Sequence, residues 1–221
     1  MTPSGPTTRR DPLSKESVLR TAIALADETG DGVPSMRGLA KRLGVEAMAL
    51  YHHFRNKDDI LDGMVDLVFA EIELPGDEDW QPAMRRRATS MRDALTRHPW
   101  AISLMDSRKN PGPATMRHHD AVIGCLRNGG FTIAGAAHAF SVLDAYIYGF
   151  TLQHLSLPFT SSDELEDVAD AILEQLPREE YPHFAEMFGH VMKPGYAVTD
   201  EFDIGLDLVL DGLRRHRDGW R

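Results

Sequence analysis

Residues 44–61 read "GVEAMALYHHFRNKDDIL", and the fold turns on what this stretch is. Tyr51, His52, His53 and Phe54 put four rings in a row, and Arg55 and Lys57 follow at once. Such a cluster could bind a metal, serve a catalytic centre or grip phosphates. Just before it, "SMRGLAKRLGV" (35–45) has the marks of a short capped helix: Ser35 at the start, Leu39, Ala40 and Leu43 on one face, and Gly44 at the close. The spacing predicts a second helix over about 46–54, with Leu50 and Phe54 turned inward.

Upstream, Ser14 caps a first helix whose Leu19, Ala22, Ile23 and Ala26 recur at helical spacing up to Gly30. Two short helices joined at a glycine and backed by a first helix make a helix-turn-helix. In that motif the second helix of the pair enters the major groove of DNA. Lys57 falls where a fourth helix begins, among free backbone amides that suit a phosphate. His52 and His53 also read as solvent-facing residues with no ligand.

Charge supports the nucleic-acid reading only in its distribution. The 221 residues carry a net charge of −10. Residues 1–57 hold nine Lys/Arg against six Asp/Glu, a net of +3, and the other 164 carry 15 against 28, a net of −13. Cys125 is alone, so no disulfide can form within the chain, and the N-terminal "MTPSGPTTRRDPL" lacks a secretory apolar core. A cytoplasmic protein with a mobile arm over 1–13 is expected. Arg9 and Arg10 on that arm could reach a minor groove.

Residues 14–61 resemble the DNA-binding domain of the TetR family of transcriptional repressors. The match rests on "SMRGLAKRLGV" and on "LYHHFRNKDDIL", which contains the pattern Leu-Tyr-x-His-Phe-x-x-Lys. The resemblance implies phosphate contacts from Tyr51, His52, His53, Lys57 and the start of the second helix at Ser35 and Met36. It implies base contact by Arg37 and by the face at Ala47, Met48 and Ala49. Those last three cannot donate to base edges, so hydrogen-bonded readout falls to Arg37, whose fork matches guanine.

Beyond a polar break at 55–59, the fourth helix is expected to run to about Leu74 and "PGDEDWQP" (75–82) to end it. Helices are expected at about 80–98, 99–106, 113–128, 132–156, 163–176, 180–192 and 200–217, making the chain all-α. The predicted division is an arm over 1–13, a helix-turn-helix domain over 14–57, and an effector-binding and dimerisation domain over 58–221 that starts with a connecting helix, 58–74. The apolar run Phe131–Leu152 has the length of a membrane span. Asp144 near its centre would cost roughly 2.5–3.5 kcal/mol in a bilayer, so a helix buried on most faces is expected and no membrane partner.

Residues 80–215 resemble the C-terminal domain of the tetracycline-repressor branch, carried by "DWQPAMRRRATSMRDALTRHPW", "NGGF", "YGF" and "FDIGLDLVLDGL". The resemblance implies a sensor for a small molecule and a two-fold dimer. The expected pocket residues are Met91, Leu95, Met105, His119, Ile123, Phe140, Asp144 and Ile147. Where the branch needs an amide, a phenyl ring and a metal-binding imidazole, this chain has Arg87, Met91 and Met105. A hydrophobic or aromatic effector other than tetracycline is therefore expected, with no cofactor or metal. The stripe Phe202, Leu206, Val209, Leu210 and Leu213, together with the central helix, is the expected dimer surface.

Two rivals stand beside this reading. A metal-dependent hydrolase could use the histidines around "RHHD" (117–120), but no H-E-x-x-H, paired cysteines or G-x-S-x-G elbow is present, so no enzyme is expected. A DNA-binding regulator without an effector is the other.

Overall fold

The computed structural model describes residues 13–30, 34–76, 78–105, 107–157, 172, 176–191 and 200–220. Among them the regular structure is helical throughout: α1 Lys15–Thr29, α2 Met36–Leu43, α3 Ala47–Leu50, α4 Lys57–Glu71 and α5 Trp80–Arg97. A 3₁₀ turn, Pro99–Ala101, leads into α6 Ile102–Met105; α7 Pro113–Asn128, α8 Ile133–Leu155, α9 Pro182–Val191 and α10 Asp200–His216 follow. The expected helix at 163–176 and the arm with Arg9 and Arg10 lie outside the described residues.

The chain divides into two compact units. The first takes residues up to Glu73 together with Asp93–Asp120, and the second takes Leu74–Arg92 with Ala121 onward.

In the first unit, reciprocal bonds between Ser14 and Ser17 start α1, and Gly30 at φ 65° stops it. Its buried line is Val18, Ala22 and Ala26. The predicted Leu19 and Ile23 are only half-buried, at the edge of that line. Gly44, at φ 67°, closes α2; its own amide reaches the Lys41 carbonyl and the Val45 amide reaches Ala40 at 3.0 Å. That paired-bond ending turns the chain straight into α3.

Two polar devices fasten α4 to later segments of this unit. Asp27 and Glu71, near the ends of α1 and α4, both face His98: its Nδ1 lies 2.8 Å from Asp27 and its Nε2 3.3 Å from Glu71. The Trp100 indole donates to the same Asp27 oxygen at 2.7 Å. The start of α7 has Gly112 as its preceding residue, with no side chain to cap the helix. Asp66 of α4 takes that role, accepting from the amide and hydroxyl of Thr115 at 2.8 and 3.0 Å. A methyl group on Gly112 would lie 2.2 Å from the Asp66 carboxyl carbon, so only glycine admits the contact.

In the second unit, α8 and α10 pack together. The Tyr146 hydroxyl donates to the Phe202 carbonyl at 2.8 Å, and Gly205 leaves room for the ring. Burial, and then the carboxylates of Asp203 and Glu201, push the Tyr146 hydroxyl pKa above its ordinary value. Two expectations about this unit are overturned. Of the expected dimer stripe, Phe202, Leu206, Leu210 and Leu213 are buried within the chain itself. The exposed apolar residues of α10 are instead Ile204 and Leu208, the latter 69% exposed. Nor is α8 buried on most faces: Ile133, Val142 and Leu152 are exposed. Periodicity finds an apolar stripe but is silent on what covers it. Among the described residues, no helix is long and apolar enough to cross a membrane.

Candidate nucleic-acid interface and effector pocket

The reading face is built on α2, α3 and the turn that follows. Regular α3 ends at Leu50, not at Phe54 as predicted. Beyond it the amides of Tyr51, His52 and His53 reach back only three residues, to Met48, Ala49 and Leu50. Three consecutive rings lose rotamer freedom in a helix, and the chain must tighten so that Phe54 can turn inward. Phe54 is indeed buried, its amide bonded to the Leu50 carbonyl at 3.0 Å.

The tight turn sets the surface. Met48 is 70% exposed, Tyr51 and His52 are exposed, and His53, Ala47 and Ala49 are half-buried. Arg37 stands exposed on the first turn of α2 beside half-buried Met36. The Ser35 hydroxyl accepts from the Gly38 amide at 3.1 Å, which leaves its proton to donate.

Between α2 and the start of α4, and on α1, the cations differ in what they meet, with Lys15 lying over the Phe54 ring. Arg20, Arg42 and Arg55 pair with Glu16, Glu28 and Asp59. Arg37, Lys41 and Lys57 are exposed and have no ion pair among the described residues. These three side chains are open to solvent.

Around Lys57 the amides are less open than the sequence implied. Asn56 accepts from the Asp59 amide at 2.8 Å, and Asp59 accepts from the Arg55 amide at 3.0 Å. That backbone bond first, and then the Arg55 guanidinium, holds the Asp59 carboxyl below its usual pKa of 3.8. Lys57 is itself exposed, and is more open to solvent than the amides of Arg55 and Asp59 beside it.

The expected effector residues separate into two groups, one in each unit. In the first unit, Met105 and His119 line a cavity of about 180 Å³. Its other walls include Asp62, Val65, Arg108 and Thr115. Leu95 is fully buried, and the His119 ring stands edge-on to Phe69, centroids 5.4 Å apart. In the second unit, Met91 and Ile147 are fully buried, while Ile123 is exposed. Asp144 meets Arg87 at 2.6 Å, and the same guanidinium lies 5.8 Å from the Phe140 ring centroid. Among the described residues no cluster of three or more His, Cys, Asp or Glu could hold a metal ion.

Sequence reasoning picked Asp144 but not its partner. Arg87 appeared there only as a departure from the tetracycline branch. Arg108, Asp62 and Thr115 were missed altogether, because "RKNPGP" reads as a spacer and nothing in it points to residues some 50 positions earlier.

Comparison with known proteins agrees with this geometry. Residues 18–64 match the model for bacterial regulatory proteins of the tetR family. Residues 73–217 match the model for the tetracyclin repressor-like C-terminal domain. The chain is 28% identical to the HTH-type transcriptional repressor DrrR1 of Streptomyces coeruleorubidus over 91% of its own length and 77% of that protein. It is 30% identical to the class A tetracycline repressor from transposon 1721 in Escherichia coli, over 93% and 92% of the two chains. Among solved structures, the TetR family protein ActR of Streptomyces coelicolor, in complex with (S)-DNPA, superimposes with a TM-score of 0.75. That match has 26% identity and covers 94% of this chain and all of ActR. With both family models matched along nearly its whole length, the chain belongs to the tetR family of bacterial regulatory proteins, which are DNA-binding transcriptional regulators and not enzymes.

Proposed function

We propose that this regulator is a cytoplasmic homodimeric repressor that leaves its operator when a small hydrophobic or aromatic molecule binds. The observation that carries the DNA half of the reading is the exposed set Arg37, Lys41 and Lys57 around the glycine-closed α2–α3 turn, without an ion pair among the described residues. On this reading residues 14–57 form the DNA-binding head, and Arg37 reads a guanine. Ala47, Met48 and Ala49 touch thymine methyls or sugars. Ser35, Met36, Tyr51, His52, His53 and Lys57 hold phosphates.

Dimerisation is supported by the outward faces of α8 and α10. Val142, Leu152, Ile204 and Leu208 are all exposed in the single chain. Covering them with a second copy makes an isologous interface and presents two reading heads. Effector response is supported by the relatives. ActR has been solved with (S)-DNPA and also with actinorhodin, and tetracycline repressors are among the curated relatives. Here Met105 and His119, which line the cavity of the first unit, are the side chains assigned to the effector. An effector shifts DNA affinity only by its preference for one of two head spacings. Half-sites one turn apart require roughly 34–36 Å between heads, so a displacement of a few ångströms misplaces them.

Footprinting the DNA that flanks the gene tests the proposal. A protected two-fold site that reopens with at least one compound from a hydrophobic panel is the expected result. No protected site at ordinary salt would end the reading; protection that no compound relieves would leave a regulator without an effector.

A further inference from the structure

Within the first unit, Lys57 enters α4 among carboxylates. Asp58 and Asp59 share its turn, Asp62 stands one turn further on, and Asp66 one turn beyond that. Distance along the helix decides which of them a phosphate at Lys57 would feel. At about 1.5 Å per residue, Asp62 is roughly 7–8 Å along the axis from Lys57, and Asp66 roughly 13–14 Å. Charges are screened over about 10 Å at 0.1 M salt, so Asp58, Asp59 and Asp62 count and Asp66 largely does not.

Each of the three that count is met by a cation. Arg55 lies 3.1 Å from Asp59, and the Lys15 charge also reaches that carboxyl. Asp58 and Asp62 are met from outside the helix. Arg108, in the segment before α7, donates from Nη1 to Asp58 at 3.2 Å, and the same nitrogen stands 3.6 Å from Asp62. Lys57 is left over, exposed and without an ion pair among the described residues. The Arg108 side chain is 19% exposed and Asp58 is 73% exposed. Little of Arg108 is open to an incoming phosphate, whereas the carboxylate it holds is open to solvent one residue from Lys57.

We propose that Arg108 is a positioning residue for DNA binding: held against Asp58 and Asp62, it offsets the carboxylate charge beside Lys57 and keeps the start of α4 attractive to a backbone phosphate. The proposal rests on the reading of Lys57 as a phosphate contact, and it adds to that site a residue 50 positions away from Asp58. Without the guanidinium, Asp58 stands uncompensated next to Lys57 and opposes it toward a phosphate. For stability the pair is minor, because an ion pair with one partner this exposed is worth little. Toward DNA it counts for more, because each phosphate contact releases counterions and its effect on affinity grows as salt falls.

Fluorescence anisotropy of the full chain with a labelled duplex of unrelated sequence tests this without an operator, since such binding is essentially all electrostatic. Arg108→Gln is expected to lower the salt slope by about one, so its deficit against the parent is about threefold larger at about 50 mM salt than at about 200 mM. Arg108→Lys keeps the charge and is expected to bind as the parent does. Adding Asp58→Asn to Arg108→Gln is expected to restore parental affinity and slope. Asp58→Asn alone changes an exposed residue that folding does not depend on, and is expected to bind about threefold more tightly than the parent at about 50 mM salt. A deficit in Arg108→Gln that is the same at every salt concentration, or that Asp58→Asn does not restore, would make the residue purely structural and overturn the proposal. Asp58→Asn alone binding no better than the parent would overturn it too. Lys57→Ala on the same duplex keeps the two readings apart. A lower slope for Lys57→Ala with Arg108→Gln unchanged removes Arg108 and leaves Lys57 as the contact. A salt-dependent, Asp58→Asn-restored deficit with Lys57→Ala unchanged keeps Arg108 in its part at the start of α4 and removes Lys57.

Discussion

Removing the Asp144 carboxylate would strand a buried guanidinium in the second unit. The Arg87 side chain is 1% exposed and lies 2.6 Å from Asp144, itself 9% exposed, so neither charge has water to fall back on. Breaking a buried pair by deleting one partner costs about 3–5 kcal/mol, whereas replacing both with apolar groups of similar volume is often neutral or stabilising. Asp144→Leu and Arg87→Met are therefore each expected to lose about 3–5 kcal/mol, and the double variant to lie within about 1 kcal/mol of the parent. The assay is urea unfolding followed by circular dichroism. Protomer concentration must be held fixed, because a dimer's stability depends on it. Single losses below about 1 kcal/mol would refute the reasoning, since they would mean that water reaches the pair. A double variant as poor as the singles would refute it differently, by placing the cost in packing around Phe140 rather than in charge.

Four further outcomes are expected. On operator variants, Arg37→Ala should weaken binding by about 1–3 kcal/mol and relax preference at one base pair per half-site, while Lys57→Ala weakens all sequences alike and lowers the salt slope by about one. Gel-shift titrations distinguish them, and a uniform loss for Arg37→Ala removes the guanine reader. Leu208→Glu places a charge on a residue 69% exposed in the single chain, and light scattering should then report monomers at micromolar protein; an unchanged dimer excludes this face. Asp66→Ala deletes the borrowed cap of α7 and should cost about 0.5–2 kcal/mol in urea unfolding. Asp59 has its pKa lowered from 3.8 by the Arg55 amide, so its stabilisation is complete above that value and is lost as pH falls through the folded-state value. The stability difference between parent and Asp59→Asn should stay level from about pH 5 to 8 and shrink below 3.8; a difference that grows on acidification contradicts the sign.

Local chemistry was legible in the sequence because its causes lie within a few residues. Ser14, Ser35, Gly30 and Gly44 were read as helix ends and are so in the structure, since a cap needs only the next turn and a left-handed residue needs only a missing Cβ. The same short-range evidence carried the helix-turn-helix and the all-α class. The reading overran where an aromatic run had to choose between helix and turn: Tyr51, His52 and His53 tightened so that Phe54 could be buried, and only the packing of Phe54 decides that.

What tertiary structure alone decided is which partner each group meets. The α10 stripe was visible as apolar, yet its burial inside the chain, leaving Ile204 and Leu208 outward, depends on where α8 lies. Asp66 capping a helix 49 residues away, Arg108 reaching Asp58, and Arg87 closing on Asp144 each join segments that the sequence gives no reason to pair. Periodicity and capping are properties of a few adjacent residues, while charge pairs and cavities arise where distant segments pack.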